Sequence, residues 1–255
     1  DRAGMQDYYA KRYAPGNLAL VVAGDFEPVA IIEEVEQAFA GFERPTEVVH
    51  DAGPVHYGRD KRIHIEKPTG GETYVVFAFP APGLEKLESI MPLDMAQSIL
   101  GSGRASRLYQ SLKEKQGLCS SVMTYFPTQS HDSLFAVAAT CQPGQLDALR
   151  TALLAELESF ATGGPVPAAM KRALRLMSSA HLFSMETSGG ATTNIGYYYT
   201  LTGGTEFLDD YMERMEAVVP DQVSQAMRGV LGMNGSGGSL SDAMVEISVG
   251  QTEQK

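Results

Sequence analysis

The sequence predicts an α+β fold, a mostly antiparallel sheet with helices packed on one face. Two observations carry that class. Four segments read as strands and come as two pairs: the alternating RIHIEKP and ETYVVFAFP, then CSSVMTYFPT and HDSLFAVAATC. Helical patterning separates the pairs and dominates the chain from Leu146 onward.

Taken in order, DRAGMQDYYAKRYAPGN reads as an amphipathic helix stopped by Pro15-Gly16. The near-continuous apolar run Leu18 to Ala23 predicts a strand buried on both faces, and Gly24-Asp25 turns out of it. Pro28 sits near the start of a second helix, whose Ile31, Ile32, Val35 and Phe39 recur at helical spacing. One strand is too little sheet for a domain, so residues 1–44 are expected to be the tail of a truncated first domain. Residues 45–60, with Pro45, Gly53, Pro54 and Gly58 among scattered polar residues, read as a linker, and 61–255 as a second domain.

Within that second domain, Thr69-Gly70-Gly71 is expected to join the first two strands. A helix follows over Leu84 to Leu100, then the turn GSGRAS, then a helix running to Lys115. After the second strand pair come helices over Leu146 to Phe160 and from Pro167. Gly189-Gly190 is expected to interrupt the helical run, GYYYTL resumes it, and a last helix covers Pro220 to Leu231. GMNGSGGSLSD is flexible by composition, and MVEISVG is the closing strand. No short internal repeat is present.

Composition removes several function classes. The chain has 255 residues, 44% hydrophobic, and sets 20 Lys and Arg against 31 Asp and Glu, a net charge of −11. Such acidity argues against sequence-independent nucleic-acid binding, which needs cations on phosphates. No apolar run reaches the roughly 18 residues of a membrane span, and no basic-then-apolar leader opens the sequence. Two cysteines exclude a disulfide scaffold and a four-cysteine zinc site.

The candidate catalytic groups form no self-contained centre. His50, His56, His64, His131 and His181 make no HxxxH, HxxEH or Cys/His cluster, so no metal site and no catalytic residue is assigned. The glycines of GSGRAS follow a helix rather than a strand and lack a Lys-Ser/Thr pair, which favours a tight helix–helix connection over a phosphate loop. No G-x-S-x-G elbow presents a serine. Tyr197-Tyr198-Tyr199 point three ways on a helix, so at least one belongs to core. A hairpin centred near Ser130 would set Cys119 opposite Cys141; reduced apolar thiols are favoured over a disulfide.

Two segments together resemble the pitrilysin/insulinase family of zinc metallopeptidases, which includes the mitochondrial and bacterial processing peptidases. Tyr8 to Pro28, YYAKRYAPGNLALVVAGDFEP, is similar to its Tyr-x-Pro-x-Asn, apolar strand, Gly-Asp pattern. Gly101 to Val122, GSGRASRLYQSLKEKQGLCSSV, is similar to its Gly-rich turn, Ser-Arg-Leu and Arg-Glu-Lys-x-Gly-Leu pattern, and the likeness continues to MVEISVG. The resemblance implies a processing-peptidase-like α+β domain, one of two similar domains in a subunit. It places HxxEH, whose two His with a distal Glu hold a zinc ion and whose own Glu activates water, in the first domain or a partner subunit. It implies no cofactor in this chain.

The family also has an Arg and a Tyr, seven positions apart, that hold substrate and stabilise the oxyanion opposite the zinc. By resemblance, Lys113 stands at the Arg position and Ser120 at the Tyr position. Lysine keeps a cation without the bidentate fork, and serine lacks a phenol's reach. The resemblance therefore implies a C-terminal, non-zinc-binding domain of a zinc-dependent peptidase that hydrolyses peptides in a clamshell chamber, to which it contributes chamber wall and subunit docking. Its acidity would favour basic peptides. The implied assembly is a homo- or heterodimer with a related subunit. The other reading is a non-catalytic homologue with a binding or assembly role. The compartment stays open between bacterial cytoplasm and periplasm.

Overall fold

The computed structural model describes residues 1–42, 61–234 and 240–250. The linker expected at 45–60 and residues 235–239 of the glycine-rich stretch lie outside them. In chain order the helices and strands are α1 (Arg2–Arg12), α2 (Pro28–Phe39), β1 (Arg62–Glu66), β2 (Thr73–Ala81) and α3 (Leu87–Gly101). A π-helix (Tyr109–Lys115), β3 (Ser121–Tyr125), β4 (Ser133–Cys141), α4 (Leu146–Gly163) and α5 (Pro167–Met185) follow. The chain closes with α6 (Ser188–Thr202), α7 (Glu206–Asp209), α8 (Tyr211–Glu216), α9 (Pro220–Val230), α10 (Leu240–Ala243) and β5 (Val245–Gly250).

These elements form two compact units. The first takes its described residues from 1–42 and His181–Asp209, so α6 and α7 group with the opening helices. In it, the Asp1 carboxylate caps α1 by accepting from the Gly4 amide at 2.7 Å, and Lys11 and Arg12 sit at the helix's negative end. Leu18 to Ala23 departs from expectation. It belongs to no strand, and Leu18, Leu20 and Val22 are exposed. A strand exists by pairing, and no described residue offers this run a ladder partner. Helix α6 begins at Ser188, so Gly189 and Gly190 lie in its first turn. The break falls at Thr187, whose hydroxyl accepts from the Gly190 amide at 3.0 Å.

The second unit holds a five-stranded sheet in the order β1-β5-β2-β4-β3. The sheet is mostly antiparallel; only the β1–β5 pair is parallel. The expected β1–β2 pairing does not form, because β5 runs between them, with Ile247 opposite both Ile63 and Val76. Burial alternates along β2 and β4 as a half-covered sheet requires. Phe77, Phe79, Phe135 and Val137 are buried with Ile90, Leu93, Leu149, Leu153 and Leu157 of α3 and α4. Helix α3 rests on β3 at Gly101: a Cβ there would stand 2.1 Å from Thr124 Oγ1. The Gln97 and Thr124 side chains bond each other's carbonyls at 3.1 and 2.8 Å beside that contact.

The other face of the sheet is open and apolar. The register sets Ile63, Tyr74, Val76, Met123, Tyr125 and Ile247 on it, each between 40% and 60% exposed. Its polar members, Ser121 and Thr140, bond each other through their hydroxyls at 3.0 Å, and no strand sets a charged residue there.

Candidate functional site

Lys113 and Ser120 are brought together. Lys113 lies in the π-helix, an element frequent at functional sites. Its ammonium donates to the Ser120 carbonyl at 2.5 Å and sits 4.9 Å from the centre of the Tyr109 ring, one turn back. The Ser120 hydroxyl stands 3.3 Å from the Thr140 carbonyl and 3.4 Å from Glu72 Oε1, while the Tyr74 hydroxyl donates to Glu72 Oε2 at 3.3 Å. One end of the sheet thus gathers a cation, a carboxylate and two hydroxyls. The cation is bound to the chain's own backbone. Glu72 and Tyr74 went unseen in the sequence because β2 lies forty residues from the motif, and only the fold joins them.

The two cysteines are free and buried. The hairpin register differs by one residue from the expected one: Ser121 faces Thr140, and Thr73 stands opposite Cys141. Burial pushes the Cys119 thiol up, partly offset by the charge of Lys113. Burial and the neighbouring Cys119 push Cys141 up to about 11. Both stay thiols near neutral pH and are poor nucleophiles. His64 Nδ1 lies 3.0 Å from the Ser248 hydroxyl, and the exposed His131 lies 2.7 Å from Glu85; His50 and His56 fall outside the described residues. Tyr198 is half-buried against Phe207, ring centres 5.2 Å apart, while Tyr197 and Tyr199 are exposed.

A buried ion pair joins α4 to the sheet. Arg150 clasps Glu246 of β5 with both ends of its guanidinium, one bond at 2.6 Å, and also meets Asp147. The hydrogen bond to Glu246 holds the guanidinium charged against the cost of burial. With Arg150 and Glu246 only 13% and 4% exposed, deleting either partner would cost about 3–5 kcal/mol. The pair locks architecture.

Among the described residues no three His, Cys, Asp or Glu side chains converge as a metal site, and the sequence carries no HxxEH. The described residues therefore do not fit a zinc centre of the HxxEH kind. No helix among the described residues is long and apolar enough to cross a membrane.

The comparisons with known proteins bear on the family and the α+β fold. The family described as the peptidase M16 inactive domain matches residues 1–177, and the chain belongs to that family as its inactive C-terminal domain. Similar curated proteins include an uncharacterized zinc protease of Streptomyces coelicolor, 27% identical, with 89% of this chain and 50% of the relative covered. Another is YmxG, an uncharacterized zinc protease of Bacillus subtilis, 24% identical, with 89% and 53% covered. The chain spans about half the length of these relatives.

Among solved structures, a protease from Helicobacter pylori superposes with a TM-score of 0.79 at 18% identity, over 97% of this chain and 58% of that one. The peptidase M16 inactive domain from Pseudomonas fluorescens gives a TM-score of 0.65 at 20% identity, over 76% and 44%. At these identities the likeness is one of fold.

Proposed function

We propose that this chain is the non-zinc-binding half of a zinc-dependent peptidase, forming chamber wall and docking surface rather than reaction centre. The observation that carries the proposal is the open sheet face, a contiguous apolar surface from β1 to β3 without a charge. Surfaces of that kind mark sites that another protein element covers. In this reading the covering element belongs to the zinc-bearing half, which lies in a longer form of the protein or in a partner subunit. The substrate is a peptide. Lys113 and Ser120, as degenerate substrate-holding positions, contribute a cation and a small hydroxyl to the wall.

The test compares this chain with the product of its full reading frame, alone and with any neighbouring family subunit. The proposal expects one zinc and peptide hydrolysis in the long form or the pair, and neither in this chain alone. Metal-free, inactive preparations throughout would leave a binding or assembly role in its place.

A further inference from the structure

We propose that the cavity between the Gly101–Ser106 turn, α4 and the start of α5 captures the C-terminal carboxylate of a peptide whose last side chain is apolar. The cavity is about 360 Å³, at the small end of ligand pockets and sized for a terminal residue rather than a cofactor. Its floor is apolar: Ile99, Phe160 and Ala169 are buried, and Val166 stands at the lip, 63% exposed.

Three cations line the same space, Arg107, Lys115 and Arg172, against one acid, Glu156. Arg107 is already committed. It bonds Glu156 Oε2 at 2.8 Å and the Ser159 hydroxyl at 3.0 Å, and lies over the Phe160 ring. Burial pushes the Glu156 carboxyl up, but the bonds from Ser111 and Arg107 outweigh it and hold the group ionised. The charge of Lys115 also acts on Glu156, so three cations share one carboxylate and the lining keeps a net positive charge on an acidic chain.

Two exposed cations above an apolar floor suit a carboxylate that carries a hydrophobic group beside it. Inorganic phosphate would satisfy the rim and leave the floor wet. The open lip lets the rest of an extended peptide leave the cavity, and capture of a chain-end carboxylate is a recurring mode of peptide recognition. This assignment goes beyond the docking role proposed above and does not depend on it.

The experiment is fluorescence anisotropy of this chain with a labelled hexapeptide ending in leucine, offered as free acid and as C-terminal amide. The free acid should bind about tenfold more tightly than the amide. Arg172→Ala and Lys115→Gln, both at exposed positions, should each weaken the free acid about three- to tenfold and leave the amide unchanged. A free acid that does not bind at millimolar concentration, an amide that binds equally, or variants that bind like the parent would overturn the proposal. So would inorganic phosphate binding as tightly as the peptide, which would make the cavity a general anion site.

Discussion

Asp94 is a half-buried carboxylate on α3 that the mechanism of the family does not explain. Burial raises its pKa to about 7, and a hydrogen bond from the Tyr211 hydroxyl at 3.3 Å offsets only part of that. In the unfolded chain the group titrates near 3.8. The folded state therefore prefers the proton. Its stabilising effect is complete below about pH 4, declines as pH rises and is gone above about pH 7. Asp94→Asn keeps an acceptor for Tyr211 and cannot ionise. Urea denaturation should find it about 2–4 kcal/mol more stable than the parent at pH 8 and within about 0.5 kcal/mol at pH 4. A variant with equal gains at both pH values would show that packing, not charge, sets the difference. At the same scale, the meeting of Lys113 with Ser120 could be read from the sequence because a seven-residue spacing is local. Glu72, Tyr74 and the Arg107–Glu156 pair could not, since each partner sits on a different element.

At the scale of elements, Gly101 shows how tightly one contact is set. A methyl at this position would lie 2.5 Å from the Thr124 amide and 2.1 Å from its hydroxyl, against backbone that cannot swing aside. Gly101→Ala should lower stability by about 2–3 kcal/mol and should also disturb the paired Gln97 and Thr124 bonds. Thermal unfolding checks the loss, and an unchanged midpoint would mean that the helix end shifts freely. Most helices were legible because 3.6-residue periodicity and Pro or Gly boundaries are local properties. Strand partners were less so. Nothing in RIHIEKP or ETYVVFAFP tells that a strand 180 residues later runs between them, and the short-range Thr69-Gly70-Gly71 turn favoured the wrong neighbour. Leu18 to Ala23 shows the same limit from the other side: apolar composition specifies burial, but only a pairing partner makes a strand.

For the whole molecule, the decisive feature is a sheet whose charge-free apolar face has no helix over it among the described residues. The side under α3 and α4 closes a conventional core, while Tyr74, Val76, Met123, Tyr125 and Ile247 meet water on the other. The chain carries a net charge of −11, yet its strands place no charged gatekeeper on that face. If the face is a docking surface, this chain on its own should bind the dye 8-anilinonaphthalene-1-sulfonate and associate with itself in sedimentation experiments at micromolar concentration. A charge in the centre of the face, Val76→Lys, should abolish the dye signal and give a monomer. Its side chain points away from the helix-covered core, so the thermal midpoint should fall by no more than a few degrees. Where the proposed zinc-bearing half, in a longer form or a partner subunit, covers the face, the dye should find nothing there. If that covered form is the zinc peptidase proposed above, Val76→Lys should lower its activity severalfold while leaving zinc content intact, because it separates the two halves without touching the metal. A parent chain that stays monomeric and dye-free, or a covered form whose activity ignores the new lysine, would make the apolar face a solvent-tolerant surface and remove the reason to call this domain a dock.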